Sequence, residues 1–453
     1  MIFSKMIGRL GLFPLILGAS VSAVPAAFAD DLPPDLSTDC LAFIDQLRAD
    51  KAEFGFIQAP EDWNHPEGSP KLHIFYFGAN PEALGGNGST PIVYFNGGPG
   101  GTPHHAYTVF KTFPAAAGIP FLYIDQRGNG CSSPYPTVST NLAGAVRLGR
   151  YGSRNIVHDA EAIRHTIFPD GRRWSVFGQS FGAAIVHRYI AIAPGALKKA
   201  FLQGDSLMND GIAWSEDRML SQKRIGDLYL NQFPEDEKIF ASARAQLPAD
   251  YCTGDGTSVT CGPALLDQFI GQSLAFPRNW ASIHTTLGQM LTADGKLDPA
   301  FLAANLPATI DPNPSQGEFM VAVIPGRELP GGLLNTWSCQ LAVPRLIDRG
   351  LDPSSWFYNE CRGDLATRST YDSFLKRIIE KDYLTIAQVA NGLRDFPKLE
   401  MHLYSGELDS VAPREGFREE VARLGRRIYY SNIANIGHDW TNAPQIWADL
   451  RRP

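Results

Sequence analysis

A chain of 453 residues, 44% hydrophobic and 19% charged, can bury a substantial core and has the length of two or three domain-sized units. Its formal net charge is -7 and it carries no lysine- and arginine-rich block, so a nucleic-acid partner is not expected.

In chain order, Lys5 and Arg9 precede an apolar stretch from Leu10 to Val24. Ala27-Phe28-Ala29 then offers the small-x-small pattern of a cleavage site. Residues 1–29 are therefore expected to be a signal peptide, with the mature chain starting at Asp30. An uncleaved anchor is the poorer reading, because the apolar run is short and is interrupted by Ser20, Ser22 and Pro25. Periplasmic or secreted export, with no stable membrane association after cleavage, is the expectation. It would place six cysteines in an oxidising space, where three disulfides can form. Cys252 and Cys261 flank a short Gly/Thr/Ser-rich loop and make the easiest pair. Cys339 with Cys361, and Cys40 with Cys131, would complete the set, though spacing does not establish them. None of the six has the close spacing of a zinc site.

Residues 53–59 and 72–77 read as an antiparallel pair joined by a polar, turn-rich connection. Ile92 to Phe95 and Phe121 to Ile124 are short continuous apolar runs, as in strands covered on both faces. Apolar residues recur at helical spacing from Ile156 to Ile167, and strands are expected at Trp174 to Phe177 and Ala200 to Gln203. From Ser206 to Lys398 the alternation is lost among helical stretches, proline-rich connections and the aromatic cluster Trp356-Phe357-Tyr358. It returns with a strand at Leu399 to Tyr404, a helix at Arg414 to Leu424 and a strand at Ile428 to Tyr430. The expected architecture is a mostly parallel, doubly wound α/β core in two parts, residues 30–205 and 399–453. Between them lies an inserted, mainly helical cap over residues 206–398.

Gly178-Gln179-Ser180-Phe181-Gly182 has the form Gly-x-Ser-x-Gly between a strand and a small-residue helix, the context of a nucleophile elbow. Glycines let the turn close around Ser180 and leave its hydroxyl exposed. A neutral serine needs a base, and the base needs a carboxylate to fix its tautomer. In this fold the order is Ser, acid, His, on loops after late strands. Asp409 is the preferred acid and His438 the preferred base. Asp205, just after the strand ending at Gln203, is a rival acid, whereas Asp439 is poorly placed beside His438. Asn96-Gly97-Gly98-Pro99-Gly100-Gly101 follows the strand at Ile92 to Phe95. Gly98 and Phe181 are the expected oxyanion donors, since Pro99 has no N–H. A phosphate-binding reading of this loop fails for want of a Gly-Lys-Ser/Thr sequence or a dinucleotide fingerprint. His104 and His105, near this loop, are candidates to line the pocket but read better as surface residues.

The glycine loop, the later Asp125-Gln126-Arg127-Gly128-Asn129-Gly130-Cys131-Ser132 and the elbow together resemble the prolyl aminopeptidase (proline iminopeptidase) group of α/β-hydrolases, which is itself similar to secreted tripeptidyl aminopeptidases. The resemblance covers residues 50–205 and 395–445. It implies an α/β-hydrolase fold and cleavage near a free peptide N-terminus, with Ser180, Asp409 and His438 as triad and neither metal nor organic cofactor. Asp125 and Arg127 read as a structural turn and ion pair beneath the site. An aminopeptidase also needs carboxylates for the substrate amine. Glu216, Asp217, Glu360 and Asp364 in the insert are the candidates. Glu360 beside the aromatic cluster would suit a proline-like ring, with Glu216 the second choice. A tripeptidyl aminopeptidase and a carboxylesterase or lipase-type ester hydrolase remain alternatives on the same triad. An epoxide hydrolase or dehalogenase would need a carboxylate where Ser180 stands. A silent binding module would not react with a fluorophosphonate.

Overall fold

The structure, a computed structural model, describes residues 32–452 apart from 86–88, 140, 206–210, 256–257, 309, 312–322, 325–327, 329–335, 358, 360, 362–367, 370–381, 413 and 426–427. The expected signal peptide lies outside the described residues.

Helix α1 (Thr38–Ala49) starts where the Ser37 hydroxyl accepts the Cys40 N–H at 3.2 Å. Strands β1 (Phe54–Pro60) and β2 (Lys71–Gly78) form the expected antiparallel pair, with Phe54 opposite Phe77. β3 (Ile92–Phe95), α2 (His104–Thr112) and β4 (Phe121–Ile124) follow, then α3 (Leu142–Leu148) and α4 (Ser153–Ile167). β5 (Trp174–Gln179), α5 (Phe181–Ile192) and β6 (Leu197–Gln203) complete the first part. One eight-stranded sheet has the order β1-β2-β4-β3-β5-β6-β11-β12, where β11 is Glu400–Gly406 and β12 is Ile428–Ile433. The strands from β4 to β12 in that order pair in parallel, and β1 and β2 form an antiparallel edge.

Because side chains alternate along a strand, each continuous apolar run feeds two cores. Val93, Phe95, Leu122, Val176, Leu202 and Leu403 pack on one face with α4 and α5. Tyr94, Phe121, Tyr123, Phe177, Phe201 and Tyr404 pack on the other with α1, α2 and the helix Pro444–Leu450. The β3 run neighbours β4 on one side and β5 on the other. Successive connections therefore diverge at β3, and the chain opens a crevice at the carboxyl ends of β3 and β5, where such sheets bind ligands.

Between β6 and β11 come α6 (Gly211–Gln232), further helices, and a small sheet containing β7 (Cys252–Asp255) and β8 (Ser258–Cys261). This stretch builds its own apolar clusters around Ile225, Tyr229, Phe240 and Leu266, and around Met219, Ala342 and Leu346. The core begins to be rejoined earlier than residue 399, however. The helix Ile386–Asp395, started by a Thr385/Gln388 capping box, puts Val389 and Leu393 into the sheet's own core. Gly392 lies so close to α5 that an added Cβ would sit 2.2 Å from the Ile190 carbonyl oxygen. All three disulfides weighed from the sequence form: Cys40–Cys131, Cys252–Cys261 and Cys339–Cys361. The first ties α1 to the loop after β4; the second closes the β7–β8 ladder, where the two cysteines face each other.

Candidate active site

Ser180 sits between β5 and α5 at φ 56° and ψ -126°, a left-handed conformation that a serine adopts only when its surroundings impose it. The surroundings are tight. A Cβ on Gly178 would lie 2.1 Å from the Gly182 carbonyl oxygen, and one on Gly182 would lie 2.0 Å from that of Phe95. The Ser180 N–H donates to the Gln203 carbonyl at 2.8 Å, pinning the turn to the end of β6.

His438 Nδ1 donates to Asp409 Oδ2 at 2.9 Å, and the other Asp409 oxygen accepts the N–H groups of Val411 at 2.8 Å and Ala412 at 2.9 Å. Asp409 is fully buried and His438 nearly so. Burial opposes a charged imidazole, but the charge and hydrogen bond of Asp409 outweigh it, so the His438 pKa stands above the usual histidine value. Arg218, buried in α6, pushes the other way. The His438 backbone N–H donates to the Ala275 carbonyl at 3.0 Å, and its carbonyl accepts from Gln179 Nε2 at 3.2 Å.

Ser180, His438, Gly97 and Gly98 line one cavity of about 850 Å³. A Cβ on Gly204 would lie 2.9 Å from the His438 ring and 3.6 Å from the Ser180 nitrogen, so the ring and the elbow share that glycine as a common floor. Gly97 abuts the elbow, since its Cβ would lie 3.0 Å from the Ser180 Cβ. Gly98 has φ +131°, which an L side chain rarely adopts. Phe181 is the first residue of α5, where a helix leaves its N–H groups without partners inside the helix. The candidate nucleophile, base, acid and oxyanion donors therefore converge on one crevice.

The family described as alpha/beta hydrolase fold matches residues 90–241. The chain has the α/β-hydrolase fold. Its curated relatives include a proline iminopeptidase of Aeromonas sobria, 34% identical over 25% of this chain and 28% of that relative. One of Xanthomonas citri is 30% identical over 33% and 42%, and one of Aspergillus aculeatus is 28% identical over 32% and 35%. The resemblance to the prolyl aminopeptidase group read from three motifs is thus met by these relatives, although each match spans less than half of the relative's length. A solved proline iminopeptidase of Mycobacterium smegmatis is 15% identical over 87% of this chain and 97% of that one, with a TM-score of 0.37. An acetylester hydrolase from Corynebacterium glutamicum is 13% identical over 88% and 95%, with a TM-score of 0.41.

Other expectations for the site fare differently. Glu216 is not among the residues lining the cavity; it meets Arg345 at 3.3 Å and Arg349 at 3.5 Å. Asp217 is not among them either. Glu360, Asp364 and Tyr358 lie outside the described residues. Trp356 and Phe357, expected to form an aromatic wall, are instead packed inside the inserted segment. Trp356 lies in the cluster with Cys339 and Cys361, and Phe357 stacks on Tyr229 at 5.7 Å. The aromatics that do line the cavity are Tyr94, Phe110, Phe276 and Trp440. Asp125 and Arg127 do not pair with each other. Asp125 bonds His104 at 2.8 Å, whereas buried Arg127 makes two bonds to Asp159, at 2.7 and 2.6 Å, and binds the carbonyls of Glu61 and Arg150. His104 stacks on Phe43 at 3.7 Å, and His105 lines the cavity.

Sequence reasoning missed Arg218, Arg278 and Asp439 as wall residues of the cavity. Arg278 and Asp439 form an ion pair there, from a loop near Phe276 and the residue after the base. No local signal marks Arg218; only the path of α6 across the site does so.

Asp205, the rival acid, lies 3.8 Å from His187 Nδ1, and His187 Nε2 bonds Glu420 at 2.7 Å. Fully buried, this pair links α5, the helix that follows Ser180, to the helix Arg414–Leu424 that follows the Asp409 loop. Burial alone would depress His187, but Glu420, and then Asp205, raise its pKa to about 9. With a folded pKa above the unfolded one, the stabilisation is full below the unfolded value of about 6.5 and is lost as pH rises through about 9. Glu420→Gln is expected to cost about 3 kcal/mol in urea unfolding at neutral pH and to flatten the alkaline decline in stability. An unchanged unfolding midpoint would refute the coupling.

Proposed function

We propose that this α/β-hydrolase is an exported serine aminopeptidase that removes N-terminal residues from peptides through an acyl-enzyme. The observation that carries the hydrolase reading is the His438–Asp409 bond at 2.9 Å in the cavity that also holds the strained Ser180. Ser180 Oγ attacks the substrate carbonyl as its proton passes to His438 Nε2, and the N–H groups of Gly98 and Phe181 take the charge that develops on oxygen. The tetrahedral intermediate collapses, the amide C–N bond breaks, and His438 gives its proton to the leaving amine. Water, deprotonated by the same histidine, then attacks the ester carbonyl and returns Ser180 to its starting form.

The peptidase reading is supported by the proline iminopeptidase relatives and by the aromatic wall of Tyr94, Phe110, Phe276 and Trp440, which suits an apolar ring such as proline. Glu360 is retained as the candidate partner of the substrate amine. Export is supported by the N-terminal pattern and by three disulfides, and among the described residues no helix is long and apolar enough to cross a membrane. An ester hydrolase on the same triad is the second reading, favoured by the cavity, where Asp439, the one acid among the described wall residues, is held by Arg278.

A panel of proline, alanine and tripeptide amides, each with free and with blocked N-termini, separates them. The aminopeptidase is expected to cleave free N-termini at least about 100-fold faster, because a charged amine partner contributes several kcal/mol to recognition. Equal rates on blocked substrates would sink the aminopeptidase reading, and activity confined to short esters would establish the second one.

A further inference from the structure

The motif after β4 has no catalytic task, yet its first two side chains reach the two ends of the glycine loop. Gln126, almost wholly buried, donates from Nε2 to the Asn96 carbonyl at 2.8 Å, where the loop leaves β3. Asp125, fully buried, binds His104 Nε2 at 2.8 Å, where the loop enters α2. Both residues are themselves anchored: the Gln126 carbonyl accepts the Asn129 N–H at 2.9 Å. The Asp125 N–H donates to the Phe75 carbonyl at 3.0 Å, its carbonyl accepts the Ser132 hydroxyl at 2.7 Å, and its side chain also takes the Cys131 N–H at 2.7 Å. The turn is closed over it, for a Cβ on Gly130 would lie 2.1 Å from Asp125 Oδ2. The His104 ring is clamped from the other side by Phe43.

Between Asn96 and His104 the chain reads Gly97-Gly98-Pro99-Gly100-Gly101-Thr102-Pro103. Four glycines in seven positions give this stretch a wide choice of backbone conformations. An oxyanion donor works only if its N–H is fixed before charge develops, and a displacement of about 1 Å can cost about 100-fold in rate. A glycine-rich loop with that duty needs its ends held by something rigid.

We propose that Gln126 and Asp125 are positioning residues that brace the two ends of this loop and so hold the Gly98 N–H in place for the tetrahedral intermediate. The proposal rests on the serine-hydrolase reading above. It gives the Asp-Gln-Arg-Gly motif a division of labour: Asp125 and Gln126 set the oxyanion loop, while Arg127 binds the first β-hairpin to α4 through Asp159 and the Glu61 carbonyl.

The test compares wild type with Gln126→Met, which keeps the shape and removes the donor, and with Asp125→Asn, which acts at the other end. Three quantities are read: kcat and KM on an activated ester, inhibition by a peptide boronic acid whose serine adduct puts an oxygen among the oxyanion donors, and the thermal midpoint. The brace predicts kcat lowered roughly 10- to 100-fold, KM within about twofold, and boronate affinity weakened by the same factor as kcat. A folded variant with unchanged kcat and boronate affinity overturns it. So does a loss that falls on KM as much as on kcat and follows the thermal midpoint, which marks a merely structural role. Should Gln126→Met not fold, Asp125→Asn alone decides by the same criteria. Wild-type protein that a fluorophosphonate fails to label at Ser180 overturns the hydrolase reading, and the brace with it; labelled wild type with unaffected variants overturns the brace alone.

Discussion

Ser180→Ala is expected to lower turnover by about 10⁴- to 10⁶-fold and to abolish labelling by a fluorophosphonate, with folding intact. The size follows from what remains. Without the hydroxyl there is no acyl-enzyme, and His438 can only assist direct attack by water in a cavity shaped around a covalent intermediate. Stability should hold or rise slightly. Ser180 occupies a strained backbone conformation that alanine shares, and its side chain has little structural duty, since the turn is held by its N–H on Gln203 and by the two flanking glycines. Circular dichroism and thermal unfolding check the fold, and gel fluorescence checks the label. Retention of more than a few per cent of wild-type turnover, or undiminished labelling, would remove Ser180 from its proposed role.

Asp409→Asn should come close behind, at about 10³- to 10⁴-fold in kcat, because an amide at this position no longer holds His438 in the tautomer that accepts the serine proton. The same variant carries a pH signature. The base must be neutral to act, so activity rises as pH rises through the His438 pKa. In the wild type the charge and hydrogen bond of Asp409 keep that pKa above the usual histidine range despite burial. Removing the charge leaves burial and Arg218, both of which lower it, opposed only by the weaker charge of Asp205, so the acid limb of kcat/KM should move to lower pH even as the rate falls. Measuring kcat/KM from pH 4 to 9 decides the matter. An acid limb that stays put, or a loss of only a fewfold, would pass the acid's role to another group. Asp205 is the neighbour to examine, since its charge also acts on His438 while its side chain lies against His187.

Much of this site was legible along the chain because its chemistry is local. A nucleophile elbow is a five-residue steric problem, and Gly178 and Gly182 are required by contacts with each other and with β3. The candidate order Ser180, Asp409, His438 could be put forward because a doubly wound sheet presents successive loops along one edge, so chain order and spatial order are linked. The three cysteine pairs were also within reach, although only Cys252–Cys261 was favoured by its spacing. The geometry favours Asp409 over Asp205 through a direction invisible in sequence: the carboxylate that faces Nδ1 of the His438 ring is that of Asp409. The partnership of Asp125 with Arg127 was misread for the same reason. Neighbours in a turn can point apart, here to His104 and to Asp159.

The inserted segment shows the limit. Glu216 and Trp356 looked suited to a substrate pocket by residue type, yet the first is taken up by Arg345 and Arg349 and the second by packing around a disulfide. Irregular helices joined by proline-rich connections carry no period that says which side faces the cavity, whereas a buried parallel strand is buried on both sides. The sequence by itself determined the strand framework and the elbow motif on which the proposed reaction class rests, since both depend on short-range sterics and on apolar runs. Only the tertiary structure decided which walls surround Ser180 and which side chains hold the glycine loop, because those contacts join residues from 21 to 259 positions apart, or neighbours whose directions a turn sets.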